Sequence, residues 1–168
     1  MEETKCYENF PAWIPLLSTL QTLAIYVIGI YVMLQYRIIA AALYLLYILL
    51  IEYWVLKESC TKCYYYGKQC GIGKGKICTL LFKKGKTEKF AGKKITWKDL
   101  LPSFMIFLIP LLAGIPLLLQ RFDWILAGLL VVLFLLATAG NGIVRGIACK
   151  YCKQRELGCP AEQMFRKK

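Results

Sequence analysis

Four long apolar runs, residues 12–34, 38–56, 100–119 and 124–144, alternate with short polar links and lysine-rich stretches. A hydrocarbon core of about 30 Å is crossed by about 20 helical residues, so each run is long enough for one transmembrane helix. The links at 35–37 and 120–123 leave room only for a tight reversal. The first two runs therefore form one helical hairpin and the last two another. The N-terminal segment, the link from 57 to 99 and the tail from 145 onward then share one side of the bilayer.

Composition supports this reading. Apolar residues make up 58% of the 168, above the roughly 45–50% of soluble domains. Too little polar sequence remains to wrap four such runs as buried core helices. Of the 22 Lys and Arg residues, all but Arg37 and Arg121 lie in the three segments of the shared side. Basic residues near helix ends are retained in the cytoplasm, so both termini are expected there, in an integral protein of the cell membrane. Trp13, Trp54, Trp97 and Trp124 fall one per helix near a boundary, where an amphipathic ring sits best, and Tyr53 with Tyr64, Tyr65 and Tyr66 extends the cytoplasmic belt. Glu2, Glu3 and Glu8 outnumber Lys5 ahead of the first run, so the start reads as mature protein and not as a signal peptide.

The cysteines change the picture. CTKCYYYGKQC, residues 60–70, and CKYCKQRELGC, residues 149–159, share the spacing C-x2-C-x6-C and almost nothing else. Shifting the numbering by 89 carries Cys60, Cys63 and Cys70 onto Cys149, Cys152 and Cys159, and the same shift carries the first hairpin onto the second. The chain reads as an internal duplication, with residues 1–99 holding one hairpin and a basic cysteine-rich segment and residues 100–168 the other hairpin and a cysteine-rich tail. Both halves start and end on one side, so the repeats are parallel, related by a pseudo-two-fold axis along the membrane normal. The expected architecture is an all-α membrane protein of four transmembrane helices with a small cytosolic cysteine-rich metal-binding region.

With Cys6 and Cys78, eight cysteines fall on the predicted cytoplasmic side, where thiols stay reduced. A C-x2-C turn aims two thiolates at one ion, and Cys60 and Cys63 with Cys149 and Cys152 complete the four-thiolate set that zinc prefers. The six cysteines of the two triads also resemble, in spacing, the fungal binuclear zinc cluster, in which six cysteines hold two zinc ions. Two membrane helices intervene here, so the DNA-binding role of that family does not carry over. A third partition places Cys60, Cys63, Cys70 and Cys78 around one centre and Cys149, Cys152, Cys159 and Cys6 around another. Such sets also suit iron-sulfur clusters, and Gly158-Cys159-Pro160 resembles the ending of bacterial ferredoxin runs. The absence of histidine excludes mixed Cys/His zinc sites, bis-His haem and histidine acid–base catalysis.

Other signals are weaker. Gly71 to Lys76 does not meet the phosphate-loop pattern in any register, and it reads better as a stretch whose backbone N–H groups turn toward sulfur. Twelve lysines between Lys57 and Lys98 face only Glu58 and Glu88, which fits attraction to anionic lipid headgroups or docking of an acidic protein partner in a membrane complex. Nothing suggests base-reading elements, so nucleic acid is not expected. Residues 77–82, ICTLLF, form an apolar island in this run that lies in the interface or covers the metal site. Gln21 and Asn141 are the strongly polar residues inside the spans, and the lack of paired ionisable groups at depth argues against a pump. Gly140, Gly142 and Gly146, the last two at G-x-x-x-G spacing, are expected at a close helix contact, and Pro110 and Pro116 with Gly114 are expected to bend or loosen the third helix.

Three functions remain. The first is non-enzymatic: a cytosolic zinc site joins the two repeats and forms a structural or partner-docking platform. The second is electron transfer through iron-sulfur centres. The third, thiol oxidoreductase chemistry, needs fewer cysteines than the mirrored triads supply.

Overall fold

In the computed structural model, which describes residues 6–87 and 96–159, four long helices are laid side by side. The first is α1, Trp13–Leu34, and three residues later α2, Ile38–Glu58, returns antiparallel to it. A 3-10 turn at Cys60–Lys62 leads through a loop to the short helix α3, Lys74–Leu81. The second hairpin is α4, Trp97–Gln120, and α5, Trp124–Leu135, the latter continuing through a π-helical turn at Leu136–Gly140 into α6, Asn141–Lys150. A last turn, α7, covers Lys153–Glu156.

Each boundary has a local cause. The helix α4 starts ahead of its apolar run because Thr96 and Asp99 form a capping box, with the Asp99 carboxylate accepting from the Thr96 N–H at 2.9 Å. At the start of α5, Asp123 accepts from the N–H of Ile125 at 2.9 Å. The fourth span outlasts its apolar run, since α6 carries Arg145 and Lys150 in unbroken helix.

The core joins Ile25, Ile28 and Val32 of α1 with Tyr44 and Ile48 of α2, Ile106 of α4, and Leu126, Leu130 and Leu133 of α5. No more than 28% of any span is buried inside the protein. Most apolar surface therefore points outward, the reverse of a soluble domain and the arrangement a lipid solvent favours. The chain is an all-helical membrane protein with four spans. Helices α1 and α4 pack together at the centre, with α2 beside α1 and α5 beside α4; α1 also meets α5, and α2 meets α4.

Three prolines sit inside α4, at 102, 110 and 116, and the helix runs unbroken through them. Pro110 cannot donate to the carbonyl of Ile106 four residues back. The Tyr44 hydroxyl of α2 donates to that carbonyl instead, at 2.5 Å. Tyr36 and Tyr47 also tie into this helix, donating to the carbonyls of Ala113 and Pro102 at 2.6 and 2.7 Å, although neither carbonyl lies four residues ahead of a proline. At the π turn the Leu136 carbonyl accepts from the Asn141 N–H five residues on, and it takes a second donor as well. Gln21 of α1 donates its Nε2 to Leu136 O at 2.9 Å, and Asn141 donates to Ala137 O at 3.2 Å. The two polar residues singled out within the spans thus serve one irregular stretch of helix.

The close-packing glycines are not Gly142 and Gly146, which face open space. Gly29 lies under the Tyr44 ring, where an added Cβ would meet Cε1 and Cζ at 2.9 Å, and Gly114 lies under Leu130. In α6 the G-x-x-x-G spacing occurs without a helix opposite it.

Candidate functional site

Beyond the spans, the N-terminal segment, the loop after α2 and the tail after α6 build one cap. Phe10 and Ile14, Tyr65, and Ala148 form a small second core, against which Cys63, Cys70 and Cys152 are packed. Backbone bonds stitch the segments together: Tyr7 N–H donates to Tyr151 O at 2.9 Å, and Phe10 N–H to Gln69 O at 3.0 Å. Tyr7 and Cys152 pair as an isolated parallel bridge. Buried Gln154 accepts from the Tyr64 N–H at 2.7 Å. The Tyr65 hydroxyl donates to Tyr7 O at 2.5 Å while accepting from the Lys153 N–H at 2.9 Å. One phenol thereby holds all three segments. Tyr65 was expected in an interfacial belt, yet it is 2% exposed and lies at the centre of the cap.

All eight predicted cysteines lie in or beside the cap as thiols. Cys60 and Cys63 flank the 3-10 turn, Cys70 precedes α3, and Cys78 is fully buried within it. Cys60 interacts electrostatically with Cys70, Cys78 and Cys63. Cys63 in turn feels Cys70 and, across the cap, Cys159, while Cys152 feels Cys63 and Cys149. The two triads therefore meet through Cys63 and Cys152. Cys60 groups with Cys70 and Cys78 instead of with the tail, and Cys149 lies exposed on α6. Among the described residues no three of these side chains converge as a ready metal-ligand set.

Cys6, Cys70 and Cys78 are turned to local partners. Cys6 donates to Glu156 Oε1 at 3.1 Å, Cys78 donates to Leu56 O at 3.7 Å, and Cys70 Sγ accepts from the Gly75 N–H at 3.3 Å. That last bond is the N–H to sulfur contact expected of the glycine-rich stretch. Burial pushes the Cys63 thiol up to about 11, with Cys70 adding to the rise, and burial pushes Cys152 up to about 12. Burial and then Cys70 raise Cys78, and the hydrogen bond to Glu156 raises Cys6. Desolvation and like-charge crowding both resist thiolate formation.

The sequence reading also missed an ion pair beneath the cap. Lys74, at the start of α3, donates to both carboxylate oxygens of Glu52 on α2, at 2.7 and 2.6 Å, and the Tyr26 hydroxyl of α1 donates to the same carboxylate. Gly73 makes this approach possible. Its φ of +81° turns the chain into α3, and an added Cβ would meet Thr19 Oγ1 at 2.7 Å. Of the apolar island, Cys78 faces inward and Phe82 stacks edge-on with Tyr53, while Ile77, Leu80 and Leu81 are exposed.

Compared with models of known families, with curated proteins and with solved structures, the chain matches none.

Proposed function

We propose that this membrane protein binds zinc through cap cysteines on its cytoplasmic face, and that the bound ion clamps the segments into a rigid structural or partner-docking platform. The observation that carries the reading is that Cys60 and Cys70 neighbour each other and both Cys63 and Cys78, with Cys63 linking them to Cys152 of the tail. Four cysteines, three half-buried and Cys78 fully buried, supply the donor count of a closed structural zinc site once they ionise. A cation placed among them offsets the burial, and then the crowding, that keep their protons on, so binding releases protons. The Gly75 N–H on Cys70 supports the same reading, because such bonds steady a ligating sulfur. Zinc ligation requires the side chains to leave their present partners and turn toward one point.

The placement of α1 and α4 at the centre, with α2 and α5 at corresponding flanks, supports a duplicated origin for the two hairpins. The basic surface, +12 overall, supports cytoplasmic orientation and contact with anionic headgroups or an acidic protein. The same thiols suit an iron-sulfur cluster, which would make the chain an electron-transfer subunit.

The experiment is anaerobic purification followed by metal and acid-labile sulfide analysis, with Cys60→Ser, Cys63→Ser and Cys149→Ser in parallel. Zinc without sulfide, lost in Cys60→Ser and Cys63→Ser, is the expected result. Iron with matching sulfide replaces the platform by electron transfer. Protein that folds without stoichiometric metal, or metal content unaffected by all three substitutions, ends the proposal.

A further inference from the structure

A cavity of about 280 Å³ opens where the first turns of α1 meet the loop ahead of α3. One wall is the helix, with Pro15, Leu16 and Thr19; the other is the loop, with Lys68, Gln69 and Lys76. No carboxylate lines it. Lys68 is held in place by the Tyr64 ring, its Nζ 4.1 Å from the centroid and 3.0 Å from the hydroxyl, so its charge is oriented without being neutralised. Lys76 has no acidic partner among the described residues. Gly73, pressed against Pro15 and Thr19, closes the cavity on one side.

Below the opening, α1 offers an apolar track. Leu16, Leu20, Leu23 and Val27 recur at helical spacing on one face, and each is more than half exposed. One oriented lysine, a second without an acidic partner among the described residues, and an aliphatic track leading away from them match one kind of molecule. We infer that the site binds an anionic phospholipid, its phosphate between Lys68 and Lys76 and one acyl chain along the α1 face. Basic pockets at the end of transmembrane helices recognise headgroups in this way, whereas lysines scattered on a surface attract the bilayer without selecting a position. Cys70 of the cap also lines the cavity, while the two lysines and the α1 track that hold the lipid take no part in the proposed zinc site.

The test is native mass spectrometry of the intact protein in detergent, titrated with phosphatidylglycerol and separately with phosphatidylcholine. The expected result is retention of one phosphatidylglycerol at a concentration about tenfold lower than phosphatidylcholine, as two lysines near a headgroup warrant. The double variant Lys68→Gln with Lys76→Gln loses that preference. Its control, Lys83→Gln with Lys84→Gln, removes the same charge outside the cavity and keeps it. Equal loss in both variants overturns the site in favour of diffuse charge attraction, and an unchanged preference in the first variant overturns it outright. Competition by inorganic phosphate or glycerol phosphate as effective as competition by the lipid overturns the membrane source and leaves a soluble anion site.

Discussion

Replacing Tyr44 by Phe removes one oxygen and, with it, the hydrogen bond that serves the Ile106 carbonyl where Pro110 cannot. Tyr44 is 3% exposed, so water does not take the hydroxyl's place. A buried acceptor left unpaired costs about 1–3 kcal/mol, and side-chain hydrogen bonds within membranes measure about 0.6 on average and up to about 1.7. The expected loss is therefore about 1–2 kcal/mol. The cause, not only the size, can be isolated. In a Pro110→Ala background the new N–H of residue 110 reaches the Ile106 carbonyl along the helix, and the tyrosine becomes redundant there. Tyr44→Phe should then cost no more than about 0.5 kcal/mol, giving a coupling energy near 1 kcal/mol. Pro110 is fully buried, so Pro110→Ala also leaves a cavity, but the double-mutant cycle cancels that shared cost. Reversible unfolding in mixed micelles, followed by circular dichroism, supplies the four stabilities. Costs that add to within about 0.3 kcal/mol would refute the idea that the tyrosine answers the proline.

Four further outcomes are expected. In metal-free protein, both folded and unfolded chains keep the Cys63 and Cys152 protons below the ordinary thiol value of 9.0, while above it the unfolded chain ionises first; stability therefore declines as pH rises from there toward 11 and 12. Alkylation at neutral pH, read by mass spectrometry, should reach exposed Cys149 well before Cys63 or Cys152, and equal rates at the three would disprove this protection. Glu52→Gln leaves Lys74 without its charge partner at a site where both side chains are less than a quarter exposed, so thermal unfolding in detergent should report a loss of about 1 kcal/mol, and an unchanged midpoint would rule the pair out as a support. Gly29→Ala drives a methyl into the Tyr44 ring and should destabilise by about 1–3 kcal/mol, a prediction contradicted by wild-type unfolding behaviour.

The four spans were legible because a bilayer imposes a length and an apolarity that composition alone reveals. Their ends were less so. The early start of α4 had a readable signal in Thr96-Trp97-Lys98-Asp99, a capping box, whereas continuation to Lys150 had none, since helices leave the membrane without changing their backbone. Pro110 announced a freed carbonyl on Ile106, but only the fold could appoint Tyr44 as its donor. The π turn at Leu136–Gly140 left no mark beyond a few small residues. At the cap, the matched triads lie in segments that the fold brings together, but their spacing did not tell that Cys60 neighbours Cys70 and Cys78, because spacing locates a turn without saying what lies opposite it. Tyr65 was legible as an aromatic and not as a hub. Its role depends on segments separated by 58 and 88 residues, and no local pattern carries that information.

The way the first and last described segments embrace sets a timetable for biosynthesis. Phe10 and Ile14 leave the ribosome early, and Tyr65 follows midway, but Ala148, Tyr151 and Cys152 emerge only after every span has been made. Through most of synthesis the early aromatics have no cover, and the hairpins can be inserted and still unsealed. The pairing of Tyr7 with Cys152 has to wait for the tail, so a chain cut short before it leaves Phe10 and Tyr65 without the cover of Ala148, Tyr151 and Cys152.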